Sequence, residues 1–233
     1  MGIAENVAGI KARIRDALAR SDNPVRDVKL VAVSKTFPAE RISEAVNSGL
    51  YRFGENRVQE LALKWKALPG LNIEWHFIGH LQTNKAKKLA EIPTTLIHSV
   101  DRLEVALELE KQLQKLGEGR DVLVEVNTSG ERTKSGINPA GAEGLLRSMK
   151  DLSSLRVKGL MTIGAFTEDR NAVRECFRML RRIFTDIRDT SIHGVEMVEL
   201  SMGMSGDYEI AVEEGATIVR IGTAVFGQRA TAV

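Results

Sequence analysis

Eight short apolar runs, each followed by helical patterning, constrain this chain of 233 residues more than any other feature. The runs are Lys29 to Lys35, Tyr51 to Asn56, Glu74 to Gly79, Thr95 to Val100, Asp121 to Asn127, Arg156 to Gly164, Val195 to Met202 and Thr217 to Gly222. Leu30 to Val33 are apolar without alternation, the pattern of a strand buried on both faces, as in a parallel sheet. Helical patterns fill the gaps, among them Glu40 to Ser48, Asp101 to Lys115 and Asn171 to Arg188. A further helix precedes the first strand: Ile3, Val7, Ile10 and Ile14 recur at helical spacing, and Ser21-Asp22-Asn23-Pro24 stops it. Eight such units in about 200–250 residues is the arithmetic of a closed barrel. The expected fold is therefore α/β, a single (β/α)8 TIM-like barrel with an extra amino-terminal helix. An open doubly wound sheet is the alternative, but it usually carries a glycine-rich phosphate loop after its first strand. Here Thr36-Phe37-Pro38 follows, with no glycine.

No linker rich in Pro, Gly or Ser divides the chain, so residues 1–233 read as one domain. The polar stretch Asn127 to Gly136 reads as a mobile loop on the active face rather than a boundary. Net charge is +2 and acidic and basic residues are mixed along the helices, which gives no general attraction to nucleic acid or membrane. No apolar run reaches the length of a membrane span, and Met1-Gly2-Ile3-Ala4-Glu5-Asn6 lacks a signal-peptide pattern. A cytoplasmic location is expected. The lone Cys176 excludes an intramolecular disulfide and a thiolate metal site, and the four histidines show no metal-ligand spacing.

In a barrel, chemistry collects where strands end and helices begin. Lys35 closes the first strand, where it either reaches out to solvent or serves a site. The seventh strand ends in Glu199-Leu200-Ser201-Met202-Gly203-Met204-Ser205, and the eighth in Arg220-Ile221-Gly222-Thr223. Barrels of this kind often hold a phosphate in the loops after strands seven and eight. Ser201 and Thr223 offer hydroxyls, while Gly203, Gly206 and Gly222 allow backbone amides to approach an anion. A closed barrel makes the first and eighth strands neighbours, which pairs this phosphate site with Lys35. An amine and a phosphate anchor together describe a seat for pyridoxal 5'-phosphate, whose aldehyde forms an imine with a lysine. Arg220 lies two residues before Gly222, hence on the same face, and reads as a donor to the ring nitrogen. Its other reading is a buried partner for an acid such as Glu199. His76 reads as a barrel-lining histidine, and His80, at a strand end, as a residue bordering the ring.

These segments resemble the pyridoxal phosphate homeostasis proteins, which share the fold type III barrel of the amino-terminal domain of alanine racemase. The resemblance runs nearly end to end. It rests on Val33-Ser34-Lys35, on Phe53-Gly54-Glu55-Asn56-Arg57-Val58-Gln59-Glu60, and on Trp75-His76-Phe77-Ile78-Gly79-His80-Leu81-Gln82-Thr83-Asn84-Lys85. Leu200 to Ser205 and Arg220 to Thr223 complete it. The resemblance implies Lys35 as the imine lysine, Arg220 as partner of the ring nitrogen, and Asn56 near the ring and its phenolic oxygen. Ser201, Gly222 and Thr223 would bind phosphate, with Met202 nearby.

The resemblance also implies a protein that manages the cofactor inside the cell and extends to its delivery to apoenzymes. The alternative is a racemase-like enzyme acting on amino acids. Reversible racemisation needs a base on each face of the imine. In alanine racemase the second base is a tyrosine from a second domain. Here ten residues follow Thr223, so that domain is expected to be absent, and neither Tyr51 nor Tyr208 stands at a position that suggests a substitute. No catalytic residue is therefore assigned. Lys134, in the basic, hydroxylated setting Arg132 to Gly136, reads as a solvated loop lysine, with a transit site for the cofactor as the other reading.

Overall fold

A computed structural model describes residues 2–23, 25–131 and 133–228. Pro24, read above as part of a helix stop, and Arg132 of the polar loop lie outside them. The eight strands are β1 (Lys29–Val33), β2 (Arg52–Glu55), β3 (Glu74–Phe77), β4 (Thr94–Val100), β5 (Arg120–Glu125), β6 (Leu155–Met161), β7 (Val195–Ser201) and β8 (Ile218–Ile221). All are parallel, and they close in sequence order, β8 pairing back onto β1. The expected (β/α)8 barrel is thus the fold observed.

Around the barrel run α1 (Ile3–Ala19), α2 (Ala39–Asn47), α3 (Val58–Ala67), α4 (Ala86–Ala90) and α5 (Leu103–Leu116). They are followed by α6 (Ala142–Met149), α7 (Arg170–Thr190), α8 (Tyr208–Glu213) and α9 (Thr223–Phe226). In α7, Val173, Cys176, Phe177, Leu180, Phe184 and Ile187 recur at three- and four-residue spacing and are buried, so the lone cysteine is a core residue. Asp169 caps that helix by accepting from the Asn171 and Ala172 amides. The last two helices are too short to cover the seam where β8 meets β1. The long α1 lies against α8, α9 and α2 and buries Ile3, Val7, Ile10 and Ile14 there. That is the structural reason for the extra helix.

Alternation along each strand sorts residues between two cores. Leu30, Ala32, Phe53, Trp75, Phe77, Val122 and Val219 face the helices and join the main core. Val31, Leu96, Leu123, Met161 and Ile218 fill the barrel axis. On the same inward register lie His76, His98, Glu125, Ser201 and Arg220, all buried. The barrel interior therefore sets this apolar plug beside a polar file that runs from His76 near the amino mouth to Arg220 at the carboxyl mouth.

Closure also depends on Gly159, where β6 shifts register against both β5 and β7. Its φ is +149°, and a Cβ there would stand 1.9 Å from the Glu199 carbonyl oxygen. Gly159→Ala is expected to cost roughly 3 kcal/mol or more, because neither backbone can retreat without breaking the ladder. Chemical denaturation checks this, and a change within about 0.5 kcal/mol, the range of ordinary surface substitutions, would contradict it.

Candidate functional site

At the carboxyl mouth of the barrel lies a cavity of about 430 Å³, within the roughly 300–1,000 Å³ usual for small-molecule sites. Lys35 and Val33 enter it from the end of β1, and Asn56 from the end of β2. Ile78, Gly79 and His80 follow β3, while Glu125 closes β5. Met204, Ser205 and Gly206 come from the loop after β7, and Arg220, Gly222 and Thr223 from β8 and the turn beyond it.

Lys35 is held by its neighbours. Beside it, the Ser34 carbonyl accepts from the Lys64 ammonium of α3 at 2.8 Å and from the Phe37 amide at 3.0 Å. Lys64 also donates to Glu55 at 2.6 Å and to Glu60 at 2.7 Å, and the Ser34 hydroxyl donates to the same Glu55 oxygen at 2.6 Å. On the other side of Lys35, the Thr36 amide donates to Glu60 at 2.7 Å, with Thr36 at φ +70°. Few non-glycine residues adopt that conformation, and the bond to Glu60 is what holds it. Burial pushes the Glu55 carboxyl up, with the Lys64 hydrogen bond and charge opposing the rise. Burial acts the same way on Glu60, but the hydrogen bonds from Lys64 and from the Thr36 amide carry its carboxyl below the ordinary value.

Arg220 is 4% exposed. Its Nη1 donates to the Ser201 hydroxyl at 2.6 Å and its Nη2 to the Thr162 carbonyl at 2.8 Å. Burial lowers its pKa to about 10, while the charges of Glu125 and Asp207 oppose that fall. The Glu125 carboxyl is pushed up to about 7 by burial and by the charge of Asp101, with Arg220 working against both. An amine, a compensated guanidinium, an amide and hydroxyls thus converge on one solvent-reached cavity. This donor set suits a small anionic molecule carrying an electrophilic carbon.

The family model for the alanine racemase amino-terminal domain matches residues 6–230. A pyridoxal phosphate homeostasis protein of Aquifex aeolicus is 45% identical over 229 residues, covering 98% of this chain and 99% of the relative. The chain belongs to the pyridoxal phosphate homeostasis family. A relative of the same name from Escherichia coli is 39% identical, with 97% of each chain covered. Among solved structures, PipY of Synechococcus elongatus with pyridoxal phosphate bound superposes with a TM-score of 0.84 at 34% identity, covering 97% of this chain and all of PipY. The alanine racemase of Clostridium difficile shares the fold at 15% identity, TM-score 0.70, over 94% of this chain and 56% of its own.

Against the expectations for this family, Lys35, Asn56, Arg220, Gly222 and Thr223 all meet in the cavity. Ser201 and Met202 do not reach its wall: both are fully buried, and the Ser201 hydroxyl is engaged by Arg220 and His98. From that loop the cavity takes Met204, Ser205 and Gly206 instead. Gly203 is required for packing, since its φ is +92° and a Cβ would stand 2.5 Å from that of Ala211. Glu199, weighed as a partner for Arg220, pairs with Lys29 and Thr217 at the opposite mouth, leaving Glu125 and Asp207 to face the arginine. His80 lines the cavity and lies 3.4 Å from Asp101. Lys134 donates to Glu131 at 2.5 Å and to the Gly164 carbonyl at 2.9 Å. Among the described residues no cluster of His, Cys, Asp or Glu is arranged to hold a metal ion.

The carboxyl of Glu125 yields a pH prediction. Below pH 4.5 it is protonated whether the chain is folded or not. As pH rises the unfolded chain releases its proton first, so the folded state loses stability until about pH 7 and then levels. Glu125→Gln lacks this loss. In protein prepared without added small molecules, its stability advantage over wild type should be near zero at pH 4.5 and reach about 3 kcal/mol above pH 7. Denaturation midpoints across that range check it, and a pH-independent difference would count against a raised Glu125.

Proposed function

We propose that this chain binds pyridoxal 5'-phosphate in the cavity at the carboxyl mouth and serves its homeostasis in the cytoplasm, including its delivery to apoenzymes. The observation that carries this reading is the meeting of Lys35 and the buried Arg220 in one cavity bordered by the Gly222-Thr223 turn. The family's name and the pyridoxal phosphate bound in PipY support it. When bound, pyridoxal phosphate supplies an aldehyde that condenses with a primary amine and a ring that withdraws electrons.

Lys35 supplies the amine, and the condensation forms a C=N bond with release of one water. Its backbone, pinned on both sides through Lys64 and Glu60, fixes where that amine stands. Asn56 borders the ring and its phenolic oxygen. Gly222 and Thr223, with Ser205 and Gly206 across the cavity, face the phosphate. Arg220 meets the ring nitrogen and has only protons to offer, so the nitrogen stays unprotonated and the ring is a weak electron sink. Ser201 acts from below, by holding Arg220.

This favours retention over turnover. A racemase needs a base on each face, and neither tyrosine lines the cavity. Tyr208 opens α8 and is 3% exposed, and Tyr51 precedes β2 at the far end of the barrel. Titration with pyridoxal phosphate is expected to turn the protein yellow, with a near-visible band that Lys35→Ala abolishes. A wild-type protein that gains no band would sink the reading. Racemisation and transamination assays, run beside transfer to an apoenzyme, should show transfer and no amino-acid turnover above that of free cofactor. Turnover well above that level would overturn the carrier assignment.

A further inference from the structure

Beneath the cavity, on the barrel axis, a file of side chains connects Arg220 to the opposite mouth. Arg220 Nη1 donates to Ser201 Oγ at 2.6 Å, Ser201 Oγ meets His98 Nδ1 at 2.9 Å, and His98 Nε2 meets His76 Nδ1 at 2.8 Å. All four residues are at most 4% exposed. The direction of each bond follows from the arginine. A guanidinium has no acceptor, so Ser201 Oγ accepts there and its single O–H needs another partner. Among the described residues His98 Nδ1 is the acceptor within reach. His98 is then unprotonated at Nδ1, carries its proton on Nε2, and donates it to His76 Nδ1. His76 in turn keeps its proton on Nε2. The reverse order would aim two donors at Ser201 and leave its O–H unmatched. Burial and the neighbouring positive charges keep both rings neutral, His98 well below the ordinary histidine value and His76 at about 3.

We infer that His98 is a positioning residue for Arg220: through Ser201 it fixes how the guanidinium faces the cavity, and Arg220 in return locks His98 and His76 as Nε2–H tautomers. The guanidinium is held at two points from below, Nη1 by Ser201 and Nη2 by the Thr162 carbonyl, which leaves its remaining N–H groups for the cavity side. At the far end His76 lines a second cavity of about 350 Å³, beside the Lys29–Glu199 and Arg52–Glu74 pairs, and its buried Nε2 has no acceptor among the described residues. The file therefore spans the barrel, and its polarity is set at the cofactor end.

The consequence for pyridoxal phosphate rests on the function proposed above, but the tautomer does not. Histidine-labelled, cofactor-free protein read by ¹⁵N NMR at neutral pH should show His98 and His76 neutral with the proton on Nε2. A His98 ring that is charged or protonated on Nδ1 overturns the inference. In protein titrated with pyridoxal phosphate, His98→Leu removes the acceptor for Ser201. It should weaken retention about tenfold, the lower end of the effect of outer partners at metal sites, and shift the visible band. His98→Asn keeps an acceptor close to the Nδ1 position and should restore both. Equal losses in the two variants would show packing alone and overturn the positioning role. In an Arg220→Met background His98→Leu should cause no further loss, and an additive loss would also overturn it. Should His98→Leu fail to fold, Ser201→Ala breaks the same file at its middle and is read by the same band and retention. A wild-type protein that takes up no pyridoxal phosphate would defeat the cofactor reading while leaving the tautomer measurement to stand or fall by itself.

Discussion

A guanidinium charge held inside a barrel is expensive: an unpaired buried ion costs several kcal/mol even after relaxation. Arg220 meets that cost with partners drawn from different parts of the chain. Ser201 ends β7, the Thr162 carbonyl follows β6, Glu125 ends β5, and Asp207 precedes α8. Apart from Ser201 and Asp207, which flank the loop after β7, these groups lie far apart in sequence, so the arginine is satisfied only once the barrel has closed. The cation at the floor of the cavity is therefore a product of the whole topology. On the proposed function it would also decide what the cavity can do, because a permanent donor opposite a pyridine nitrogen keeps that nitrogen unprotonated.

The same logic separates two lysines that lie close together. Lys64 is buried on α3 and engages the Ser34 carbonyl, Glu55 and Glu60, so its charge is consumed in holding the end of β1. Lys35 stands at that end, half-buried and lining the cavity. Removing the partner of a buried charge typically costs about 3–5 kcal/mol, which makes the Lys64 cluster a rigid footing rather than a second reactive amine. A positive-φ Thr36 next to Lys35 is tolerated because Glu60 accepts its amide. Strain is thus stored one residue from the amine and balanced by an acid on α3.

The order of elements was legible in the sequence because parallel strands buried on both faces stand out as apolar runs, and the helices between them keep their period. Strand ends were less legible. β1 was read through Lys35 and ends at Val33, because the Ser34 carbonyl leaves the ladder for Lys64 and Phe37. β6 was read to Gly164 and ends at Met161, although Thr162 stays fully buried through bonds to the Val126 carbonyl and Thr128. Lys35, Asn56, His80, Gly206, Arg220, Gly222 and Thr223 followed from the strand ends and the turns beyond them, a rule of topology. Ser201 was read as a phosphate ligand and its hydroxyl meets Arg220 and His98, since pattern gives the face of a strand and not the depth at which a hydroxyl finds its partner. Glu125 and His98 were missed, yet each interrupts an apolar strand at an inward position, two residues from Leu123 and Leu96. An isolated polar residue on the axis side of a buried strand is the signal that would have found them.

On the proposed function, holding and turnover would part company at the ring nitrogen and the second face. The racemase barrel shares this topology at 15% identity, which carries the architecture and nothing about chemistry. On that reading, what would separate holding from turnover is the lining itself. Its one carboxyl among the described residues, Glu125, compensates Arg220, and no tyrosine reaches it. Moving a proton across the two faces of a bound amino acid needs a second base and an electron sink strong enough to stabilise the resulting carbanion. On the proposed function a donor-only arginine would weaken the sink, and the one carboxyl of the lining among the described residues is tied to that arginine. On the proposed function both deficits trace to the same buried charge, so the feature that would seat the cofactor would also disfavour turnover.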